Sequence, residues 1–587
     1  MSPFLSQYEF ILIDFEFCPR DGIEGNPVEV ICMVILNLRT GEYIRLWADD
    51  LYGMTEHPFS NQLNVVFVAY FASAEMSCFQ ALGWSWPHRI LDLYAEFRNL
   101  TNGIPLEFGK SLLGAMQYFG LPCIGSITKD DMRDLALRGG PYTDTEKLAL
   151  LDYCQSDVDA LRQLLLAMQD RINLPLAFVR GQYSVPLAVM EGRGTPIDYE
   201  LYKDLCANWE AIKSELITQI DVSYGVYQNG TFKESLFEEY LHRKGIRWPR
   251  LETGRLKLDE DTFKELSNTY PELKPLRQLR DSLSKLRLNA LQVGTDGRNR
   301  CLLSPFSSIT GRNQPSTNKF IFGVAKWVRG LIQPKPGLAL AYIDWSQQEF
   351  GIAAALSNDD NMKAAYLSGD PYLAFAKQAN AVPEDATKKS HPAVRDQYKQ
   401  CVLATQYGMG SDALALQLNA HVLTARKLLA IHRRVYWQFW NWSDNVFNHT
   451  IINNRIATVF GWQLNIQPIF NARSLRNFPM QANAAEMLRI ACLLIAEHGV
   501  QLCAPVHDAI LIEAPEQLIE EHVQIAQNCM VRASRIVLSG FTLASDAQIL
   551  RYPERFLDEQ SQPFWETVME IMQSVKNQKM KILTPTC

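Results

Sequence analysis

The chain has 587 residues, 47% hydrophobic and 21% charged, the composition of a globular protein of several domains rather than a disordered, collagen-like or membrane-embedded one. Fifty-seven Lys and Arg against 64 Asp and Glu leave a formal charge of −7; this shows no overall basic excess, yet clustered cations could still serve a nucleic-acid partner. No apolar run reaches bilayer-spanning length, the first residues lack a signal peptide's basic flank and cleavage site, and the twelve cysteines contain no CxxC pair, which fits reduced thiols in a cytosolic protein better than structural zinc.

Taken in chain order, roughly the first 185 residues alternate strand and helix patterns, which points to an α/β domain. Residues 10–17, 28–38 and 63–70 read as strands. Leu148, Leu151, Val158, Leu161 and Leu165 recur at helical spacing and predict a long helix over 147–170. From 185 to about 290 the pattern is mainly helical, with charge-rich stretches such as 242–250. A strand signal returns at 337–344, a long helical block follows over 347–449, and a second strand pair flanks His507-Asp508. There is no internal repeat.

Two groups of residues carry chemistry. In a strand, residues two apart share a face, so Asp14 and Glu16 project together from an otherwise apolar segment. Side-by-side burial of two carboxylates is costly without a cation, and a divalent metal is the natural one; two solvated acids at a strand end are the plainer alternative. Tyr153 and Asp157 lie one turn apart on the predicted helix. In the second half, Asp344 ends an apolar strand and Asp508 sits at the tip of a strand–turn–strand hairpin. Two carboxylates from separate strands facing one cleft suit a pair of Mg²⁺ ions for in-line phosphoryl displacement. Between them Arg395, Lys399 and Leu403 form one helical stripe that Tyr407 continues. A guanidinium and an ammonium one turn apart form a triphosphate clamp, and the next ring can face a base.

These segments carry a family resemblance. Asp344-Trp-Ser-Gln-Gln-Glu349, the 395–408 stretch and Val506-His-Asp508 resemble, in order, motifs A, B and C of family A DNA polymerases. Thr310-Gly-Arg312, the segment 477–486 and the segment 190–198 resemble three lesser motifs of the same family. The DxE strand with the YxxxD helix resembles the proofreading 3′–5′ exonuclease of the DEDD type, Tyr variety. The fold implied is multidomain, α/β and α+β: a ribonuclease H-like exonuclease domain over 1–185, a thumb over 186–300, a palm over 301–354 and 471–587, and fingers over 355–470. Because the resemblance starts near residue 10, no 5′-nuclease domain is expected, and the thumb shows no large insertion.

The resemblance also implies roles. Asp344 and Asp508 would hold the polymerase metals. Arg395 and Lys399 would bind the triphosphate, with Gln347, Leu403 and Tyr407 also at the nucleotide and Glu349 as the steric gate against a 2′-hydroxyl. Arg312, Gln481 and Asn477 would touch DNA, and His507 the primer end. In the exonuclease, Asp14, Glu16, Asp157 and a third acid would hold two ions while Tyr153 orients water. Glu75 is the preferred third acid and Asp92 the fallback, because the segment 68–75 departs from the usual Asn-xxx-Asp pattern. Leu403, Ala404 and Ala509 stand where the family usually has an aromatic residue, Gly and Glu. The expected cofactor is Mg²⁺, two ions per site, with Mn²⁺ as a substitute. The expected partners are primer-template DNA and dNTPs, with no membrane. A monomer in the cytoplasm of a bacterium, or of a virus-infected bacterial cell, is expected. Basic clusters at 243–250 and around Arg277, Arg280, Lys285 and Arg287 would grip the duplex backbone, unless they are simply solvated thumb surface.

Overall fold

The computed structural model describes residues 7–122, 126–285, 288–406, 408–418, 420–468 and 470–583. Tyr407 and Arg287 lie outside these, as does the side chain of Lys285. The chain divides into two compact units, the first comprising 1–194, 302–314 and 337–549 and the second the remaining segments.

The first unit contains two sheets. One has five strands, β1 (Glu9–Pro19), β2 (Val28–Asn37), β3 (Tyr43–Trp47), β4 (Val65–Ala69) and β5 (Ile90–Asp92), in the order β3-β2-β1-β4-β5. β1 pairs antiparallel with β2 and parallel with β4, and the β1–β2 register slips between Glu16 and Phe17. β1 is apolar on both faces because both are covered. Phe10 and Leu12 enter one core, Ile11, Ile13 and Phe15 the other. Helix α1 (Ser73–Leu82) lends Met76, Cys78 and Phe79 to the second core. After α2 (Leu93–Thr101), the long α3 (Asp144–Met168) buries Leu150, Cys154, Val158, Leu161 and Leu165 in the first. α3 starts at a capping box: the Glu146 N–H donates to Thr143 Oγ1 at 3.3 Å, and the Thr143 N–H returns to Glu146 Oε2 at 2.8 Å.

The second sheet starts with β6 (Leu338–Trp345). The helices α4 (Gln348–Ser357), α5 (Pro371–Gln378), α6 (Pro392–Gln406), α7 (Val422–Val435) and α8 (Trp437–Asn453) follow. Then come α9 (Ala472–Glu497), the hairpin β7 (Gln501–Val506) and β8 (Ala509–Pro515), α10 (Ile519–Val537) and β9 (Ser545–Arg551). The strand order β7-β8-β6-β9 puts the first and last strands in sequence beside each other.

The second unit is mainly helical, with helices Tyr199–Asp221, Glu234–Lys244, Glu260–Thr269, Lys274–Lys285 and Gln562–Leu583. One of its cores gathers Tyr224, Phe237, Tyr240, Phe263 and Leu276. It corrects part of the basic-surface expectation. The Arg280 guanidinium lies 4.0 Å from the Phe232 ring centre and 4.4 Å from that of Phe263, an inward cation–π position. Arg277 donates to Ser267 Oγ at 2.8 Å, Arg243 to the Tyr224 carbonyl at 3.2 Å and Arg250 to the Gly254 carbonyl at 2.8 Å. Arg280 is thus turned inward, whereas Arg243, Lys244, Arg247 and Arg250 remain exposed cations of the 243–250 cluster.

Candidate active sites

The first site is built on β1, α1 and α3. Asp14 and Glu16 are half-buried on β1, either side of the fully buried Phe15. The Cys154 thiol of α3 donates to the Asp14 carbonyl at 3.2 Å, which ties the helix of Tyr153 and Asp157 to the strand of the acids. Glu75, in the first turn of α1, is 4% exposed, and its Oε2 has no hydrogen-bond partner. Burial, then the charge of Asp14, and further Asp92 and Asp157, push its carboxyl well above the usual range. Burial and the charges of Asp157, Glu16 and Asp14 likewise push the Tyr153 phenol up. Glu75 thus lies in the field of Asp14, Asp92 and Asp157, and Tyr153 in that of Asp157, Glu16 and Asp14. A cavity of about 320 Å³ opens beside them, lined by Tyr153, Asp157, Leu112, Met116 and Gln163 among others.

Asp92 is engaged differently. Its Oδ1 accepts the Tyr94 N–H at 2.9 Å and the Ala95 N–H at 3.4 Å, capping α2, and also the Phe71 N–H at 3.0 Å. Phe71 has φ +73° in the turn between β4 and α1. Asp92 thus braces a strained turn, although burial still raises its pKa to about 6.

The second site lies where β6 meets the β7–β8 hairpin. Asp344 pairs in register with Ala509, and Val506 with the same residue, so His507 and Asp508 are a two-residue turn. The Trp345 N–H donates to the Asp508 carbonyl at 3.4 Å. Asp344 Oδ1 is buried without a hydrogen-bond partner. Burial, then the charges of Asp508 and Asp546, lift Asp344 to about 7. Burial also raises Asp508, against the opposing pull of Arg312 and His507.

Asp546 is an acid that no local sequence pattern marks. It lies on β9, and Ser346 Oγ donates to its Oδ2 at 2.6 Å. The Ser346 N–H reaches the Ala544 carbonyl at 2.9 Å, and the Tyr366 hydroxyl spans the Ser346 carbonyl and the Ala544 N–H, each at 3.0 Å. These bonds lock the end of β6 to β9.

Around the two acids, Arg312 Nη2 lies 3.5 Å from Glu349 Oε1. Gln347, the residue before α4, adopts φ +46°. Asn477 and Gln481 are one turn apart on α9, both half-buried. On α6, Lys399 is exposed while Arg395 and Leu403 are partly buried. Gln348, to which the sequence assigns no role, is 2% exposed with neither amide atom hydrogen-bonded.

Hard carboxylate oxygens, one of them buried and unpartnered at each site, suit a divalent cation. Among the described residues no three His, Cys, Asp or Glu side chains are already gathered as a metal-binding group.

The sheet thus sets two carboxylates at one strand end, and α6 carries the arginine–lysine stripe. Residues 200–545 match the family model of DNA polymerase family A, more than half of the chain, and the protein belongs to that family. It is similar to DNA polymerase I of Aquifex aeolicus, 23% identical over 434 residues, covering 66% of this chain and 73% of that one. It is 24% identical to the DNA polymerase I of Chloroflexus aurantiacus over 392 residues, 61% of this chain and 40% of that one. The thermostable DNA polymerase I of Thermus thermophilus is 24% identical over 403 residues, 63% of this chain and 46% of that one. The chain thus spans less than half the length of the last two. Among solved structures, the POL domain of Pol1 from M. smegmatis, in complex with DNA primer-template and dNTP, superposes with a TM-score of 0.70 at 18% identity. That likeness covers 93% of this chain and 96% of that one, so the shared fold reaches well before residue 200. No helix among the described residues is long and apolar enough to cross a membrane.

Proposed function

We propose that the protein is a template-directed, Mg²⁺-dependent DNA polymerase that adds dNTPs to a primer and proofreads with a 3′–5′ exonuclease. The observation that carries the polymerase reading is the turn that sets Asp508 beside Asp344, within the stretch that matches the polymerase family. Mg²⁺, or Mn²⁺ in its place, would lower the pKa of the primer 3′-hydroxyl and neutralise the leaving phosphate. Asp344 and Asp508 would hold it, with Asp546 adding negative charge from β9. Arg395 and Lys399 would take the triphosphate, with Gln347, Leu403 and Tyr407 beside it. Glu349, kept in place by Arg312, would exclude a 2′-hydroxyl. Arg312, Gln481 and Asn477 would probe the duplex and His507 would meet the primer end, where minor-groove acceptors are alike for all correct pairs.

In this reading 1–185 is the exonuclease domain, 186–300 the thumb, 301–354 and 471–587 the palm, and 355–470 the fingers. In the exonuclease, Asp14, Glu16, Glu75 and Asp157 would hold the ions, Tyr153 would orient the attacking water, and the neighbouring apolar cavity would take the terminal base. The buried, unpartnered Glu75 oxygen, and the charges of Asp14 and Asp157 felt by both Glu75 and Tyr153, support this. The primer-template and dNTP of the M. smegmatis complex, and the bacterial relatives, support DNA and dNTPs as partners and a bacterial cytoplasm as the setting. The enzyme would act as a monomer.

The test is primer extension beside digestion of a mismatched 3′ end. Asp508→Ala should abolish the first and spare the second, and Glu75→Gln the reverse. Normal extension by Asp508→Ala would overturn the polymerase assignment, and normal digestion by Glu75→Gln the nuclease one.

A further inference from the structure

One acid faces the triphosphate stripe from the neighbouring helix. Asp370 precedes α5, where its Oδ1 accepts the Leu373 N–H at 3.2 Å and caps the helix, with Pro371 in the first helical position. Its Oδ2 accepts the Arg395 Nε–H at 2.5 Å. The pair is sheltered, with side-chain exposures of 15% for Arg395 and 25% for Asp370. The ring of Tyr372, two residues on, lies under both cations of the stripe: the Arg395 guanidinium carbon is 5.6 Å and Lys399 Nζ 5.8 Å from its centre.

The geometry bears on what Arg395 can offer an anion. A guanidinium has five N–H donors in a rigid fork. Asp370 occupies the Nε edge, and its own rotamer is fixed because the other oxygen caps α5. Nη1 has only a 3.5 Å approach to Asp396, whose side chain is 65% exposed. The two Nη groups are therefore the donors presented to a ligand, in a direction set by a helix terminus rather than by the flexible arginine stem. An arginine held this way loses less freedom when it binds a phosphate.

We propose that Asp370 is a positioning residue for the incoming nucleotide, orienting Arg395 so that its Nη face meets the triphosphate. This rests on the reading of Arg395 as a triphosphate ligand. Asp370→Asn is the suitable variant, because Asn caps a helix about as well as Asp but carries no charge for Arg395.

With primer-template bound, Asp370→Asn should raise the dNTP Kd and the inhibition constant for inorganic pyrophosphate together, each by roughly tenfold, on the scale of a misoriented binding group. Primer-template affinity and the thermal midpoint should stay at wild-type values. Placed on Arg395→Ala, the same change should add nothing. Unchanged or tighter dNTP binding by Asp370→Asn, or losses that add fully in the double variant, would overturn the proposal. If Arg395→Ala itself binds dNTP normally, the triphosphate assignment falls, and the positioning role with it. If Arg395→Ala binds poorly while Asp370→Asn binds normally, only the role of Asp370 is refuted.

Discussion

Glu75 and Asp92 are both buried acids of the N-terminal sheet region, yet their surroundings predict opposite phenotypes on substitution. Asp92 accepts three backbone N–H groups, two at the start of α2 and one from Phe71. Asp92→Ala removes an N-cap, which costs about 1 kcal/mol. It also strands the Phe71 N–H, which costs about 1–3 kcal/mol more. A total loss of roughly 2–4 kcal/mol follows. Glu75 has an oxygen without a partner, and the charge of Asp14 beside it. Glu75→Gln keeps the shape and removes an ionisable group whose charged form is disfavoured by burial and by Asp14, so without divalent cations stability should hold or rise. The pH dependence has a definite sign. The folded carboxyl is raised, so its penalty is absent below the unfolded value of about 4.3 and grows as pH rises towards the folded one. Gln should flatten that part of the profile. Urea unfolding in EDTA across pH gives the stabilities, and single-strand 3′ digestion across a Mg²⁺ titration gives the activities. Glu75→Gln should be stable and slowed roughly 100-fold or more, the scale of a disrupted ion site. Asp92→Ala should be unstable but active at low temperature. A stable, inactive Asp92→Ala beside an active Glu75→Gln would refute the reasoning.

Three further outcomes follow from the second site. Glu349→Ala removes the proposed gate and the partner of Arg312, so ribonucleotide incorporation should rise; unchanged rNTP-to-dNTP selectivity in single-turnover extension would place the gate elsewhere. Leu403 lacks the phenolic hydroxyl that family members with Tyr here use with dideoxynucleotides, so Leu403→Tyr should increase chain termination, and equal termination would count against this alignment of the stripe. Asp546→Asn removes one of the charges that raise Asp344 and keeps an acceptor for Ser346, so extension should need more Mg²⁺ while folding is unaffected; an unaltered Mg²⁺ titration would exclude a role for this acid.

The parts legible in the sequence were those set by local pattern. The strands of Asp14 and Asp344 and the hairpin of Asp508 could be read because apolar runs broken by an acid are visible along the chain, and the structure forms them within a few residues of the expected bounds. What could not be read depends on tertiary neighbours. Asp546 comes near Asp344 only because β9 pairs with β6, some 200 residues earlier. The capping role of Asp92 is not visible in the sequence, because a cap and a ligand are the same residue type after the same apolar stretch. Arg280 looked like surface charge, whereas the aromatic rings that enclose it come from Phe232 and Phe263. Arg180 and Glu96 likewise form a fully buried pair, 2.7 Å apart, that no spacing rule joins.

The turn at the second site shows how such a pair of acids is kept in place. His507 has φ +57°, a conformation that costs a side-chain-bearing residue roughly 1–2 kcal/mol and that Gly would adopt freely. The flanking pairs Val506–Ala509 and Asp344–Ala509 fix both ends of the turn, so the strain cannot relax without breaking the sheet. The imidazole sits beside Asp508, whose carboxyl burial raises and His507 lowers. A backbone that keeps His where Gly would be easier indicates that the side chain is needed there. In the function proposed above, that side chain is the ring that meets the primer end next to Asp508. Position 507 therefore joins sequence, strain and chemistry in one residue: the hairpin imposes the left-handed conformation, and the site supplies the reason to fill it with imidazole.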